Sequence, residues 1–221
     1  MNTIRLRNFA YMETIWKWTL DELKTTTATD KPVATSGAIT LVSAVYGCSL
    51  LLMTLSISLS KLRSKNAVDK VRQLLADTEQ QSYALSKAAD SDIGAFQLFL
   101  ASFDLPADTE SHKKLRREEI VQHRLESIRI PLEAAERITG LYSIIFDAIP
   151  LVSKNVLPDL ASCANIFYSS ICNLCWNVRV NSKKLSPDAR IRLTSAAGLH
   201  KNDAKVATKL INKQVAKMLG V

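Results

Sequence analysis

Apolar residues recur at spacings of three and four along most of the chain, and no stretch alternates apolar and polar residues over the length of a strand. Such spacing places apolar side chains on one face of an α-helix, so the pattern predicts an all-α fold. The ordinary amphipathic helices predicted in this way cover residues 4–24, 66–87, 92–103, 109–130, 132–149 and 203–219.

Two further stretches of helical length, residues 32–60 and 160–178, carry no charged residue. Residues 37–59 alone are long enough to cross a hydrocarbon layer about 30 Å thick, so a transmembrane span is one alternative. Serines and threonines dot the first stretch and asparagines the second, which suits helix packing better than lipid contact. We therefore predict two long uncharged core helices within one helical bundle, a single domain over residues 1–221.

Composition and charge fit a globular protein with a basic end. The 221 residues are 47% hydrophobic and 23% charged, with a net charge of +8. The positive excess lies mainly in residues 183–217, interleaved with apolar positions, which favours either an anionic partner or a solvated helix face. Because no RNP or zinc-finger motif accompanies the charge, nucleic-acid binding is not expected.

Four cysteines lie in apolar, uncharged stretches, where a cysteine usually behaves as a small hydrophobe. Together with the lack of a signal-peptide pattern near the N-terminus, this favours a reducing, cytoplasmic location. No metal site is expected, because Cys172 and Cys175 have no second pair or ligand histidine at zinc-finger spacing. His112 and His123 are expected on a charged helix surface and His200 in a loop.

Several short segments stand out by their order. Asp-Ile-Gly-Ala-Phe at 92–96 is followed by Leu-Pro at 105–106, and an arginine-containing stretch closes with Ile-Pro-Leu at 130–132. Asp-Leu at 159–160 then precedes Asn-Val-Arg-Val-Asn at 177–181. In this order they resemble the family that includes formiminotetrahydrofolate cyclodeaminases and bacterial methenyltetrahydrofolate cyclohydrolases.

The resemblance runs over about residues 19–198 and leaves 199–221 as a basic C-terminal helix. It implies chemistry at a one-carbon unit carried by a tetrahydrofolate derivative, the substrate. Either a formimino group loses ammonia to give the methenyl form, or water attacks the methenyl carbon to give 10-formyltetrahydrofolate. It also implies a homodimer, which two uncharged helices favour, since one small bundle need not bury them fully.

The chain departs from the family at two segments that form the folate pocket there. Pro-Val-Ala-Thr-Ser-Gly-Ala at 32–38 stands where the family has a Pro-Gly-Gly-Gly-Ser turn. Residues 152–159 are a reduced form of the family's Gly-Asn-Pro-Asn loop. A second hypothesis is therefore a non-catalytic descendant that serves as a folate-binding or dimeric scaffold.

Proton transfer at such a carbon calls for a positioned carboxylate. Asp92 and Asp159 occupy matching family positions and are the catalytic candidates, with Asp92 the leading one. Each is also expected to begin a helix, so that capping alone is the competing interpretation. Pro131 is likewise expected in the first turn of a new helix, where it gives up no hydrogen bond.

The folate-binding candidates fall into groups, each with a structural alternative. Three asparagines at i, i+4 and i+8 predict either pterin contact or an interhelical hydrogen-bond ladder. A glycine near a helix start predicts either close ligand approach or a plain turn. A cluster of cations after the first uncharged helix predicts contact with a glutamate tail or a solvated helix end. The candidates are Asn173, Asn177 and Asn181; Gly37; Lys61, Arg63 and Lys65; and Asn155 in the reduced loop.

Overall fold

The computed structural model describes residues 14–30 and 32–221, and every regular element in these residues is helical. The prediction of an all-α fold is therefore confirmed. Short 3-10 turns lie at Ile15–Lys17, Lys154–Val156 and Ser182–Lys184. Within the described residues the α-helices are α1 (Leu20–Thr27), α2 (Ser36–Leu59), α3 (Lys65–Ser102), α4 (Glu110–Ala148), α5 (Leu157–Asn181) and α6 (Pro187–Leu219).

Helices α2 to α5 form an antiparallel bundle, and α6 packs against α4 and α5. The two uncharged helices run in opposite directions. Ser36 at the start of α2 meets Asn177 near the end of α5, whereas Ser58 at the end of α2 accepts the backbone N–H of Ser153 just before α5. The start of α2 and the end of α5 therefore lie at one end of the bundle. The end of α2 and the start of α5 lie at the other.

The predicted core helices do supply the centre of the molecule. Leu41, Leu51 and Leu55 of α2 and Phe167 of α5 are fully buried. In the described part of the chain, α2 is the one helix long and apolar enough to cross a membrane, and 61% of its most apolar 18-residue window is buried in the bundle. The opposite face of α2 is exposed or half-buried.

Several predicted helix boundaries are wrong because predicted pairs are single helices. Helix α3 runs through both 66–87 and 92–103 without a break, since Ala88, Ala89 and the polar residues after them continue the helix. Helix α6 begins at Pro187 rather than at 203, so His200 lies in a helix and not in a loop. Of the helix predicted over 4–24, the first ten residues lie outside the described residues; the rest is a 3-10 turn followed by α1.

Pro131 lies inside α4, so the prediction that it begins a helix is wrong. A proline cannot donate to the carbonyl four residues earlier, here that of Ser127. That carbonyl instead accepts the side-chain amide of Asn181 at 2.9 Å. The end of α5 thereby replaces the hydrogen bond that Pro131 removes, and α4 continues for 39 residues.

Candidate functional site

The buried carboxyl of Asp92 faces the first turn of α2. Asp92 lies in the interior of α3, so the prediction that it begins and caps its own helix is wrong. It is 9% exposed and accepts a hydrogen bond from the backbone N–H of Ala38. Thr35, the N-cap residue of α2, makes no side-chain cap. Asp92 therefore satisfies a free N–H at the start of a different helix, a place that also favours negative charge.

Gly37 leaves the space that this carboxyl occupies. A Cβ built on Gly37 would lie 2.5 Å from both carboxyl oxygens of Asp92. No real Cβ tolerates such a contact, so any side chain here would push the carboxyl away from Ala38. The sequence predicted that Gly37 either lets a ligand approach closely or forms a plain turn. In the structure, the group that approaches Gly37 is the side chain of Asp92.

Burial raises the pKa of Asp92 to about 6, and the hydrogen bond from Ala38 opposes part of that rise. A carboxyl with this pKa exchanges its proton near neutral pH, which suits a general acid or base. The two causes act on the same atoms, because the fold both removes water from the carboxyl and aims one backbone donor at it.

Two polar side chains lie at the outer edge of this turn. Ser36 is exposed and donates its hydroxyl to the Oδ1 of half-buried Asn177 at 3.3 Å. Asn177 was predicted as a folate ligand, and the structure brings it to the same helix start as Asp92 and Gly37. We name this group of four residues, Ser36, Gly37, Asp92 and Asn177, the α2-start site.

The segment before α1 is attached to α3 next to this site. Asp90 accepts the hydroxyl of Thr14 at 2.7 Å and the backbone N–H of Ile15 at 3.0 Å. The indole of Trp16 donates to the carbonyl of Ser86 at 3.0 Å. These contacts hold Ile15, which is buried, beside the helix that carries Asp92.

Five of the other predicted candidates lie toward the opposite end of α2. Lys61, Arg63 and Lys65 are exposed around the turn between α2 and α3, and Asn155 is exposed in the 3-10 turn before α5. Asp159 lies in the first turn of α5; the N-cap position belongs to Val156, so the prediction that Asp159 is the N-cap is wrong. Since α2 has 24 residues, its two ends are about 36 Å apart. Within one chain, Asp92 and Asp159 cannot act on the same carbon.

The predicted asparagine ladder is not formed. Asn173 is exposed, Asn177 meets Ser36, and Asn181 donates to the carbonyl of Ser127. The three share a helix face, but the inference that they are buried amides was wrong, because this face of α5 is only partly covered. Of the three, Asn177 alone is placed by these contacts in the α2-start site.

Two contributors to the site were missed from the sequence: the hydroxyl of Ser36 and the backbone N–H of Ala38. A backbone donor leaves no residue-type signal. The uncharged run from residue 32 did show where a helix starts, but only the fold brings Asp92 to it.

Among the described residues, no group of three His, Cys, Asp or Glu side chains could hold a metal ion. The larger surface grooves lie elsewhere, along α4 and between α3 and α4.

The described residues therefore form an all-α bundle that holds a buried carboxyl, that of Asp92, at the start of a helix. The family model described as formiminotransferase-cyclodeaminase matches residues 19–197. The chain therefore belongs to the formiminotransferase-cyclodeaminase family.

Individual relatives are distant but cover much of the chain. The formimidoyltransferase-cyclodeaminase of Sus scrofa is 22% identical over 70% of this chain, which spans only 28% of that protein. The methenyltetrahydrofolate cyclohydrolase of Methylorubrum extorquens is 22% identical over 73% of this chain and 78% of its own length. The crystal structure of formiminotetrahydrofolate cyclodeaminase from Thermotoga maritima has a TM-score of 0.64 at 18% identity, covering 93% of this chain and 98% of that one. The last comparison establishes the shared fold.

Proposed function

We propose that this chain acts on a one-carbon unit carried by tetrahydrofolate, as a formiminotetrahydrofolate cyclodeaminase or a methenyltetrahydrofolate cyclohydrolase. The relatives' names supply the substrate class. The observation that carries the proposal is the carboxyl of Asp92, which is buried and hydrogen-bonded to the start of α2, and whose pKa is raised by burial to about 6.

Either reaction uses this carboxyl in a simple way. In cyclodeamination, N10 of the folate attacks the formimino carbon, and the N10 proton passes to the formimino nitrogen. Protonated Asp92 donates a second proton to that nitrogen, the bond from it to the carbon breaks, and ammonia leaves the methenyl cation. In hydrolysis, ionised Asp92 accepts a proton as water attacks the methenyl carbon, and it returns that proton to N5 as the bond from the carbon to N5 breaks. The remaining O–H proton is released to solvent as the formyl C=O forms. A pKa near 6 keeps both protonation states accessible around neutral pH.

Neighbouring groups supply binding rather than chemistry. The methenyl carbon is cationic, and an ionised carboxyl beside it stabilises that charge. The amide of Asn177 offers both a donor and an acceptor, which suits the edge of a pterin ring, and the hydroxyl of Ser36 already orients its oxygen. Of the other predicted ligands, the cations Lys61, Arg63 and Lys65 are proposed for the glutamate tail.

The test follows the near-ultraviolet absorbance of the methenyl form with purified protein. It is offered 5-formimino- and 5,10-methenyltetrahydrofolate in separate reactions. Turnover of either one establishes the activity and its branch, and Asp92→Asn should reduce it at least about a thousandfold, within the range that positioned acid-base groups provide. Glu79→Gln, an exposed change on the same helix, is the matched control and should retain full turnover.

The altered turn at residues 32–38 motivates the alternative hypothesis of a non-catalytic scaffold. The matched relatives are named as enzymes, which favours the catalytic hypothesis. The absorbance test separates the two hypotheses. If neither folate is converted while 5-formyltetrahydrofolate still raises the melting temperature, the chain is a folate-binding descendant and the catalytic proposal is wrong.

A homodimer is the second part of the proposal, and the exposed face of α2 supports it. Six positions on this face alternate in spacings of four and three, the repeat typical of a helix that packs along another helix. Residues 32–60 contain no charge, so nothing on this face favours water strongly. The positions, all exposed or half-buried, are Ile39, Ser43, Tyr46, Leu50, Met53 and Ile57.

An antiparallel pairing of two α2 helices also answers the separation of the candidates. It would bring the basic turn of one copy, with Lys61, Arg63 and Lys65, to the α2-start site of the other. A folate whose pterin lies near Asp92 could then extend its glutamate tail toward those cations. Two complete sites would form, one at each end of the paired helices.

Light scattering at micromolar concentration tests the dimer, with twice the chain mass expected. Met53→Arg should give the monomer mass because it places a charge within the apolar face. Leu199→Arg changes another exposed apolar residue, on α6, and should leave the mass unchanged. A monomer mass for the unaltered protein would contradict the proposal.

We further propose that the protein works in the cytoplasm, away from membranes and without a metal. Four free cysteine thiols and the largely buried inner face of α2 support the first two points. Cell fractionation without detergent should leave the protein in the supernatant. Turnover that is unchanged after dialysis against a chelator would support the third, because an amidinium-like carbon is electrophilic without a Lewis acid.

A further inference from the structure

A basic groove lies between the end of α5 and the start of α6, apart from the α2-start site. It has a volume of about 360 Å³ and is lined by Arg179, Lys183, Arg190, Thr194 and Ser195. Arg179 and Lys183 are four residues apart, as are Arg190 and Thr194, so each pair lies on one side of its stretch of chain. Three cationic side chains and that of Ser195 therefore line the same groove.

The cations of this groove lack acidic partners, as most of the described lysines and arginines do, so the fold does not neutralise their charge. Elsewhere, Lys70 pairs with Asp147 at 2.7 Å, and Arg129 contacts the carboxylates of two glutamates on its own helix. Among the described ion pairs, none involves Arg179, Lys183 or Arg190. Asp188 is the acid nearest to Arg190 in the chain, but two residues along a helix place it on a different side.

The groove is partly organised in advance. The guanidinium of Arg179 lies 5.0 Å from the ring centroid of Trp176, which limits its freedom. The thiol of Cys175 donates to the carbonyl of Ala197 at 3.0 Å and holds α5 close to α6 beneath the groove. The hydroxyl of Thr194 already donates to the carbonyl of Arg190 at 2.8 Å, so the donors left for a ligand are the three cations and Ser195.

The groove continues toward an exposed aromatic ring. A smaller cleft shares Arg179 and Thr194 with it and extends to Trp176, Gly198 and Lys201. A Cβ built on Gly198 would meet nothing within 4 Å, so the surface beside the ring is open. The Trp176 side of this cleft could accept the flat organic part of a ligand whose anionic group lies among the cations.

We propose that this groove binds a phosphate group, either as free phosphate or as the phosphate of a small ester such as a nucleotide. Phosphate presents several acceptor oxygens and about two negative charges, which matches converging guanidinium and ammonium donors. The site faces α6, whereas Asn177, two residues before Arg179, faces α2. Binding here is therefore independent of the proposed folate chemistry.

Calorimetric titration tests the proposal with three probes: inorganic phosphate, AMP, and glutarate as a dicarboxylate of similar charge. Phosphate or AMP should bind in the millimolar range or tighter, and Arg190→Gln should weaken that binding about tenfold. Lys209→Gln removes an equally exposed charge on α6 outside the groove and should leave the affinity within twofold or so of the unaltered protein. Asp92→Asn should bind phosphate as the unaltered protein does.

The arms of the titration also separate the sources of the phosphate. Tighter binding of AMP than of phosphate, lost in Trp176→Leu, assigns the site to phosphate esters, whereas equal affinities assign it to free phosphate. Equal weakening by Arg190→Gln and Lys209→Gln, equal binding of glutarate, or no heat with any probe would overturn the proposal. If Arg190→Gln loses its helical circular dichroism, Lys183→Gln takes its place.

Discussion

Gly37 and Asp92 are in direct contact across two helices, with no room for a Cβ between them. We expect Gly37→Ala to displace the carboxyl from Ala38 and to destabilise the fold by about 1–3 kcal/mol, the usual range for overpacking a core. Turnover should fall with it, because the proton donor moves. Chemical denaturation and the absorbance assay measure the two effects.

Gly94→Ala is the matched control for that substitution. Gly94 lies in α3 two residues after Asp92, and a Cβ there would meet nothing within 4 Å. Alanine in a helix interior is favoured over glycine, so this variant should be more stable by about 0.5–1 kcal/mol with turnover retained. Equal behaviour of the two alanine variants would show that the contact with Asp92 is not what requires glycine at 37.

The pKa of Asp92 predicts a dependence of stability on pH. Its folded-state pKa of about 6 exceeds the ordinary 3.8, so the folded protein binds this proton more tightly than the unfolded chain does. The resulting stabilisation is fully present below pH 3.8 and is lost as the pH rises through 6. Above that, the buried charge costs about 3 kcal/mol relative to a neutral group.

Asp92→Asn should therefore be more stable than the unaltered protein at pH 8 by up to about 3 kcal/mol, with the gap closing toward pH 4. The asparagine oxygen can still accept the N–H of Ala38, so the helix start keeps its partner. Urea denaturation across this pH range measures the gap. A gap that stays constant from pH 4 to 8 would show that Asp92 titrates normally.

The helix content and the two core helices could be predicted from the sequence, because burial and helical period leave a direct pattern. The sequence pattern predicts a break between residues 87 and 92 and does not show that the helix continues there. Asp90 and Asp92 look like a polar helix boundary, but each is retained inside α3 by a tertiary partner, Ile15 for the first and Ala38 for the second. Polar residues paired across the fold resemble polar residues in loops.

The candidate site was predictable only in part for a related reason. Family position indicated Asp92 and Asn177, and the structure brings them to the same end of α2. It separates Asp159 and Asn155 from them, because α5 runs antiparallel to α2. The cations lie at the far end of α2 because they follow it in the chain. Direction along a bundle is set by packing, and a linear motif order does not reveal it.

The hydrogen bonds that Asp90 accepts hold the segment before α1 against α3. Asp90→Ala removes the acceptor of both the Thr14 hydroxyl and the Ile15 N–H, which leaves only the indole of Trp16 attached to α3 in this segment's described hydrogen bonds. Trypsin should then cleave after Lys17 at least about tenfold faster, because the loss of two hydrogen bonds, each about 0.5–1.5 kcal/mol, makes local opening easier. Mass spectrometry of timed digests measures the rate, and Asp188→Ala, an exposed change on α6, should leave it unaltered.

Asn181 and Pro131 predict a coupled pair of effects. Asn181→Ala leaves the carbonyl of Ser127 without its 2.9 Å partner, at a cost of about 1–3 kcal/mol for a buried acceptor, nearer the low end because the carbonyl is only partly buried. Pro131→Ala restores a backbone N–H that can reach the same carbonyl through the helix itself. The asparagine should then matter much less. In a double-mutant cycle followed by urea denaturation, the cost of Asn181→Ala should shrink by at least half in the Pro131→Ala background. An unchanged cost in both backgrounds would mean that Asn181 stabilises the end of α5 by packing, and that α4 tolerates the free carbonyl through water.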